Sequence, residues 1–121
     1  MFTLVAIFVL VWGVSAQQVA DSAFEFTINE PAYPDGYGPV VLVDEAHFNF
    51  HTIGGRFQTF AELLRADGYR VGGSNMKLSK QILETCRIFV VSNPLPSDRA
   101  WNTYPYPTPS AFSDEEIAAL R

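Results

Sequence analysis

The sequence predicts an α/β fold built on a parallel sheet, and two apolar runs with the chain between them lead to this prediction. Val40-Val41-Leu42-Val43 and Ile88-Phe89-Val90-Val91 are continuously apolar and rich in β-branched residues, as in strands buried on both faces. Two stretches with apolar residues at helical spacing and one short apolar segment lie between these runs. The order β-α-β-α-β predicts right-handed crossovers and a three-layer α/β/α arrangement.

A lead-in of residues 17–39 precedes the predicted sheet. Prolines and glycines recur between residues 31 and 39, which favours loop or extended chain. Phe24-Glu25-Phe26-Thr27-Ile28 alternates apolar and polar side chains at a period of two. That alternation predicts a short edge strand within the lead-in.

Two helices and a middle strand are predicted between the buried runs. The first helix carries apolar residues at helical spacing: Phe57, Phe60, Ala61 and Leu64. Gly68 stands where a helix C-terminal glycine belongs, and Tyr69-Arg70-Val71 follows as a short strand. Leu78 and Ile82 mark a short second helix, with Ser79 near its start.

A proline- and aromatic-rich segment, residues 93–112, follows the third predicted strand. Loops of this length inside compact domains are typically binding loops, lids or disordered segments, and the aromatic residues of this one disfavour full disorder. Ser113-Asp114-Glu115-Glu116 then forms a capping box, with Ser113 as N-cap and Glu116 at the third helical position. The helix that begins there extends towards Arg121, so we expect residues 40–121 to be the front part of a larger α/β domain.

The first sixteen residues predict export. Leu4 to Trp12 is an unbroken apolar run without charge, and Gly13-Val14-Ser15-Ala16 supplies small residues for cleavage. The run is shorter than the roughly 20 residues that a membrane-spanning helix needs. We therefore expect a signal peptide, residues 1–16, and a secreted or periplasmic protein. Because no Lys or Arg precedes the run, a membrane tether by residues 1–16 is the alternative.

The charge balance restricts the class of partner. Eight basic and thirteen acidic residues give a net charge of −5, and the basic residues are scattered singly. Nucleic acid and anionic membrane surfaces are therefore excluded as electrostatic partners of the chain, which leaves a small molecule or a protein.

Cys86 is the single cysteine, so no intrachain disulfide is possible, and its apolar neighbours predict a buried side chain.

The chemistry-bearing residues are concentrated in one block directly after the first predicted strand. In open parallel sheets, ligands bind beyond the carboxyl ends of the strands. The block places two carboxylates, two imidazoles and an amide at that edge. Its candidate ligand-binding residues are Asp44, Glu45, His47, Asn49 and His51.

The spacing of His47 and His51 tests the idea of a metal site. On a helix, the two would be about 5–6 Å apart at Cβ and could share an ion. In an extended segment, at roughly 3.3 Å per residue, their Cα atoms would be about 13 Å apart. The strict alternation of polar and apolar residues favours the extended form, with Phe48 and Phe50 anchoring the opposite side. No cofactor is therefore predicted, and a divalent metal at His47 and His51 is the less favoured alternative.

Two further residues are poor candidates for a nucleophile. Ser92 follows the third predicted strand, but Val91-Ser92-Asn93-Pro94 lacks the flanking glycines of a nucleophile elbow. Cys86 precedes that strand and so belongs to the opposite end of the sheet. Neither residue predicts covalent catalysis.

Three blocks, Val41–Thr52, Phe60–Tyr69 and Val90–Pro94, carry a resemblance to a known family. From about residue 40 to the end, the chain resembles the uncharacterised DUF4350-type domains, which are similar in fold to class I glutamine amidotransferase-like (flavodoxin-like) domains. The resemblance implies a flavodoxin-like sheet that is incomplete at the C-terminus, with a further buried strand expected after the last helix. It also implies the absence of amidotransferase chemistry, because the catalytic Cys elbow has no counterpart at Ser92-Asn93.

Three functions remain open on the sequence. The first is an exported ligand-binding or interaction module whose pocket is formed by the block and covered by residues 93–112. The second is a metal-assisted hydrolase in which Asp44 or Glu45 acts as base and the histidines bind a metal or stabilise an anion. The third is an inactive fragment of a longer protein.

Overall fold

The computed structural model describes residues 19–121, and the predicted signal peptide, residues 1–16, lies outside them. The described chain contains three strands and three α-helices in the predicted alternation, with a single 3-10 turn before the last helix. In chain order these are β1 (Val40–Asp44), α1 (Gln58–Ala66), β2 (Arg70–Ser74), α2 (Lys80–Glu84), β3 (Ile88–Val90), the 3-10 turn Trp101–Thr103 and α3 (Asp114–Ala119).

The strands form one parallel sheet in the order β2-β1-β3. Central strand β1 is the most buried, with Val41 1% and Val43 0% exposed. The chain moves from β1 to β2 on one side and then back across β1 to β3. With right-handed crossovers, this reversal places α1 and α2 on opposite faces of the sheet. The predicted α/β class with a parallel sheet is confirmed, and the reversal creates a topological switch point between β1 and β3.

The signal predicted for one end of each helix is present, although Phe57 and Leu78 lie just before α1 and α2 and not within them. Gly68 follows α1 with φ +90°, and a Cβ there would collide with the carbonyl group of Tyr33, so glycine is required. The Ser79 hydroxyl caps α2 by accepting from the amide of Ile82 at 3.3 Å. Both bonds of the predicted capping box at α3 are present.

The predicted edge strand at Phe24–Ile28 is wrong. The bonds near this segment do not form a strand ladder: the Asp21 carbonyl accepts from Phe24 N at 3.3 Å and from the Thr59 hydroxyl at 2.9 Å, and Phe24 is 55% exposed. Alternation alone cannot make a strand where the segment has no ladder partner. The lead-in is also attached further along, where the amide of Ala32 donates to the Asp67 carboxylate at 2.7 Å.

Strand β3 is less buried than its sequence predicted. Ile88 is 44% exposed and Val91, just beyond the strand, is 42% exposed. Within the described chain β3 has one strand neighbour and β1 has two, so apolar composition does not give the two strands the same burial.

Strand β2 is longer than predicted, because it continues through two glycines to Ser74.

None of the helices in residues 19–121 is both long enough and apolar enough to cross a bilayer.

Candidate functional site

The predicted block leaves the carboxyl end of β1 as an irregular loop. The loop is neither helical nor regularly extended, because Phe48 takes a left-handed conformation with φ +50°. Phe48 is 51% and Phe50 45% exposed, so the prediction that they anchor the loop is wrong. The polar side chains of the loop turn inward, where they find hydrogen-bond partners.

Asn49 joins the ends of the two strands that flank the switch point. Its amide group donates to Asp44 Oδ2 and to the Ser92 carbonyl, each at 3.0 Å. Its own carbonyl oxygen accepts from the amide of His47 at 3.0 Å. Asp44, the last residue of β1, is completely buried, and its Oδ1 accepts from the amide of Ala46 at 3.2 Å.

His47 is the centre of the buried network. Its Nδ1 lies 2.9 Å from both oxygens of Asp44, and its Nε2 lies 2.9 Å from Glu116 Oε1. The side chain is 4% exposed, and the ring of Phe112 packs beside it with a centroid distance of 4.4 Å. Its carbonyl accepts from the amide of Leu95 at 2.7 Å.

Glu116 brings α3 to this network. Its Oε2 accepts from the amide of Ser113 at 2.9 Å, which is half of the capping box. Its Oε1 accepts from the amide of Leu78 at 3.0 Å as well as from His47. Burial opposes ionisation of Glu116, but the bonds from the Ser113 amide, His47 and the Leu78 amide together hold the pKa of its carboxyl below its ordinary value.

The hydrogen bonds determine where the protons of the network lie. Each carboxylate oxygen of Asp44 and Glu116 also accepts from another N–H group, and an ionised carboxylate accepts without donating. With both carboxylates ionised, bonds to the two of them require His47 to donate from both ring nitrogens, which only the imidazolium form does. The cluster is a buried cation between two buried anions. Removal of one member of such a cluster leaves an uncompensated charge in the interior.

The other two predicted residues, Glu45 and His51, lie outside this network. Glu45 Oε1 accepts from the amide of Ile53 at 2.7 Å and its carboxyl group lies against Gly73. His51 is 7% exposed, with Nδ1 3.1 Å from the Asn93 amide nitrogen and its ring 4.8 Å from that of Phe57. The block thus supplies one network from Asp44, His47 and Asn49, and two separate anchoring side chains.

The geometry of the histidines bears on a shared metal ion. Both ring nitrogens of His47 face carboxylate oxygens, whereas His51 contacts Asn93 and Phe57. The chain from residue 19 to residue 121 contains no group of three or more His, Cys, Asp or Glu side chains placed to hold a metal. In this arrangement His47 offers no nitrogen to an ion that it would share with His51.

The segment 93–112 contacts the network at its two ends. Leu95 and Phe112 lie against His47, whereas Trp101 is 71% and Tyr106 100% exposed. The ends of the segment therefore cover His47 and its middle projects into solvent.

Cys86 lies at the opposite end of the sheet, as expected from its place before β3. The side chain is half-buried, not fully buried as its neighbours predicted, and Sγ lies 3.6 Å from the Leu83 carbonyl. Burial raises the pKa of the Cys86 thiol, which disfavours the thiolate that a nucleophile requires.

Sequence reasoning missed three participants in the site. Glu116 was predicted only as the third helical residue of a capping box. Its bond to His47 joins residues that are 69 positions apart in the sequence. The Leu78 amide and the Ser92 carbonyl are backbone groups without a sequence signature. A capping-box glutamate next to a predicted binding edge was the one signal that pointed towards Glu116.

Comparison of the chain with models of known protein families, with curated proteins and with solved structures finds no match.

Proposed function

We propose that this chain is an exported α/β domain that binds a small molecule or a protein partner at the carboxyl edge of its sheet, without amidotransferase activity. The candidate ligand-binding residues are Asp44, Glu45, His47, Asn49 and His51. The resemblance to DUF4350-type and glutamine amidotransferase-like domains agrees with the strand order β2-β1-β3, with which flavodoxin-like sheets begin.

One observation carries the proposal. Through Glu116, the network joins the loop after β1 (Asp44 and His47) to α3 and to Leu78 before α2, around the switch point where open α/β sheets bind ligands. A buried polar network of this kind rigidifies the loops around it. Rigid loops at such an edge are what a binding site requires, because they reduce the entropy lost on association.

The same network disfavours a reaction at His47. A general base needs a nitrogen or oxygen that can reach and accept a substrate proton. Both nitrogens of His47 are engaged with carboxylates, and both oxygens of Asp44 accept hydrogen bonds. Acid/base residues that are held in this way serve to position the loop.

A ligand screen on the full chain tests the binding proposal. Thermal unfolding is followed against a panel of anionic, neutral and cationic small molecules, for the wild type, Glu45→Gln and the distant control Glu84→Gln. A site ligand at a hundred times its Kd stabilises the folded state by about 2.7 kcal/mol. The expected result is at least one such ligand, weakened by Glu45→Gln and unaffected by Glu84→Gln.

Two results would overturn the binding proposal. Stoichiometric zinc that disappears in His47→Ala, together with hydrolysis, would establish the metal-assisted hydrolase. A complete absence of stabilising ligands and partners would favour the inactive fragment.

Export has its own test. Expression in a secreting host, followed by mass measurement of the product, is expected to give a chain that begins at Gln17. A membrane-bound product that retains residues 1–16 would establish the tether instead.

A further inference from the structure

We propose that Glu116 occupies, from within the chain, a carboxylate-binding site made by His47 and the Leu78 amide, and that a carboxylate ligand binds there by displacing it. The inference rests on the proposed binding function and names its ligand class. The ligand carboxylate belongs to a small organic acid or to the C-terminus of a peptide.

The donors of this site come from two different parts of the chain and converge on one oxygen. His47 Nε2 and the Leu78 amide lie 2.9 Å and 3.0 Å from Glu116 Oε1. Two N–H groups aimed at one carboxylate oxygen, one of them cationic, form the arrangement that protein sites use for anions. Asp44 holds the imidazolium from its other side.

Glu116 is suited to act as a displaceable occupant. It is the buried residue of α3, whereas Ile117 is 37% and Leu120 64% exposed. The one buried residue of the helix is therefore a carboxylate, and not an apolar side chain. Ser113, the other donor to Glu116, belongs to the same capping box and can move with it.

The two donors left by Glu116, and not the net charge, favour a carboxylate in its place. With Glu116 withdrawn, the imidazolium of His47 and the carboxylate of Asp44 cancel, and the Leu78 amide loses its acceptor. An arriving carboxylate restores both bonds and the original charge. A tethered competitor nevertheless opposes any external ligand, because its effective concentration is high.

Chemical rescue tests this inference on the full chain. Sodium acetate is titrated into Glu116→Ala and into the matched control Glu115→Ala, which removes a carboxylate from the exposed side of the same helical turn. Sodium chloride at equal ionic strength is the reference. Acetate is expected to raise the Tm of Glu116→Ala above its value in chloride and to have no such effect on Glu115→Ala. Equal effects of acetate and chloride on Glu116→Ala would overturn the inference.

A measurement on the wild type does not depend on how well Glu116→Ala folds. Amide NMR signals of Leu78 and of residues 113–119 are expected to shift with acetate and not with chloride. Acetate is expected to bind Glu116→Ala more tightly than the wild type by on the order of a hundredfold, since the tethered competitor is gone. Wild-type signals that do not respond to saturating acetate would contradict the displacement.

The two proposals can fail separately. If the ligand screen finds a neutral or cationic ligand at the edge while acetate gives no rescue, the binding function stands and the carboxylate site is wrong. If acetate rescues Glu116→Ala while no ligand or partner binds the wild type, the donors form an anion site that Glu116 keeps closed, and both the displacement and the binding function are wrong. Rescue by acetate but not by a peptide with a free C-terminus assigns the site to small organic acids.

Discussion

The two histidines of the block are four positions apart and similarly buried, yet they have different surroundings. His47 is 4% exposed and lies between two carboxylates, one at the end of β1 and one from α3. His51 is 7% exposed and lies against the amide of Asn93 and the ring of Phe57. The left-handed residue Phe48 interrupts the loop near His47. Partners from distant parts of the chain, and not spacing in the sequence, therefore determine what each histidine does.

His47→Ala is expected to have the largest effect on stability. It leaves Asp44 and Glu116 buried without their shared cation, and breaking a buried ion cluster by removal of one partner costs about 3–5 kcal/mol. His51→Ala removes contacts that include those with the Asn93 amide and the Phe57 ring, and it is expected to cost about 1–3 kcal/mol. Urea unfolding of both variants checks the difference, and a cost for His51→Ala equal to that of His47→Ala would break the comparison.

Glu116→Gln is expected to have the next largest effect. The amide keeps the shape of the side chain but removes the negative charge that His47 faces, and a hydrogen bond to a charged group is worth about 1.5–3 kcal/mol. Glu115→Gln, one position earlier and exposed, is the matched control and is expected to change stability less. Equal free energies of unfolding for the two variants would show that α3 is not held by its buried carboxylate.

Acidification is expected to weaken the attachment of α3 through the Glu116 carboxylate. The pKa of Glu116 is lowered in the folded protein from an ordinary value of 4.5, against the effect of burial, by the bonds that it accepts. Its stabilising contribution is therefore fully present above the unfolded pKa and is lost as the pH falls through the folded pKa. The free energy of unfolding should fall on acidification below about pH 4.5, and should fall less in Glu116→Gln. Parallel pH profiles for the wild type and the variant would contradict this prediction.

Substitution of two glycines of β2 is expected to change the free energy of unfolding least. One of these glycines lies against Glu45, which accepts from the Ile53 amide in the part of the loop that follows His51. A Cβ at Gly73 would lie 2.5 Å from the Glu45 carboxyl carbon, whereas one at Gly72 would meet Leu42 at an ordinary 3.4 Å. Gly73→Ala should push Glu45 off the Ile53 amide and be about 1 kcal/mol less stable than Gly72→Ala, the cost of one hydrogen bond. Thermal unfolding of both variants measures this, and the reverse order would show that the Glu45 bond is unimportant.

The strands and helices were largely predictable because their signals are local. The apolar run of β1, the glycine after α1 and the capping serine of α2 each act within a few residues of their own positions. The burial of β3 was not predictable in the same way, because it depends on how many neighbours the strand has in the sheet. The edge strand at 24–28 failed for the same reason, since alternation does not specify a partner.

The place of the block in the fold was predictable, but the hydrogen-bond partners of its residues were not. Asp44, His47 and Asn49 lie at the expected edge of the sheet, because the carboxyl end of β1 is there. The sequence did not indicate Glu116 as a partner of His47, because the capping box already explains a glutamate at this position. Its bond to His47 joins residues that are 69 positions apart. Long-range pairing of this kind has no periodic or spacing signal.

The most direct test of the central claim is a double-mutant cycle between His47 and Glu116. Urea unfolding is measured for the wild type, His47→Gln, Glu116→Gln and the double variant, with Glu115→Gln in place of Glu116→Gln as a parallel cycle. A bond that attaches α3 to the end of β1 predicts a coupling free energy of about 1.5 kcal/mol or more for the first cycle, and close to zero for the second. Additivity within about 0.5 kcal/mol in the first cycle would contradict the claim that His47 and Glu116 hold these two parts of the chain together.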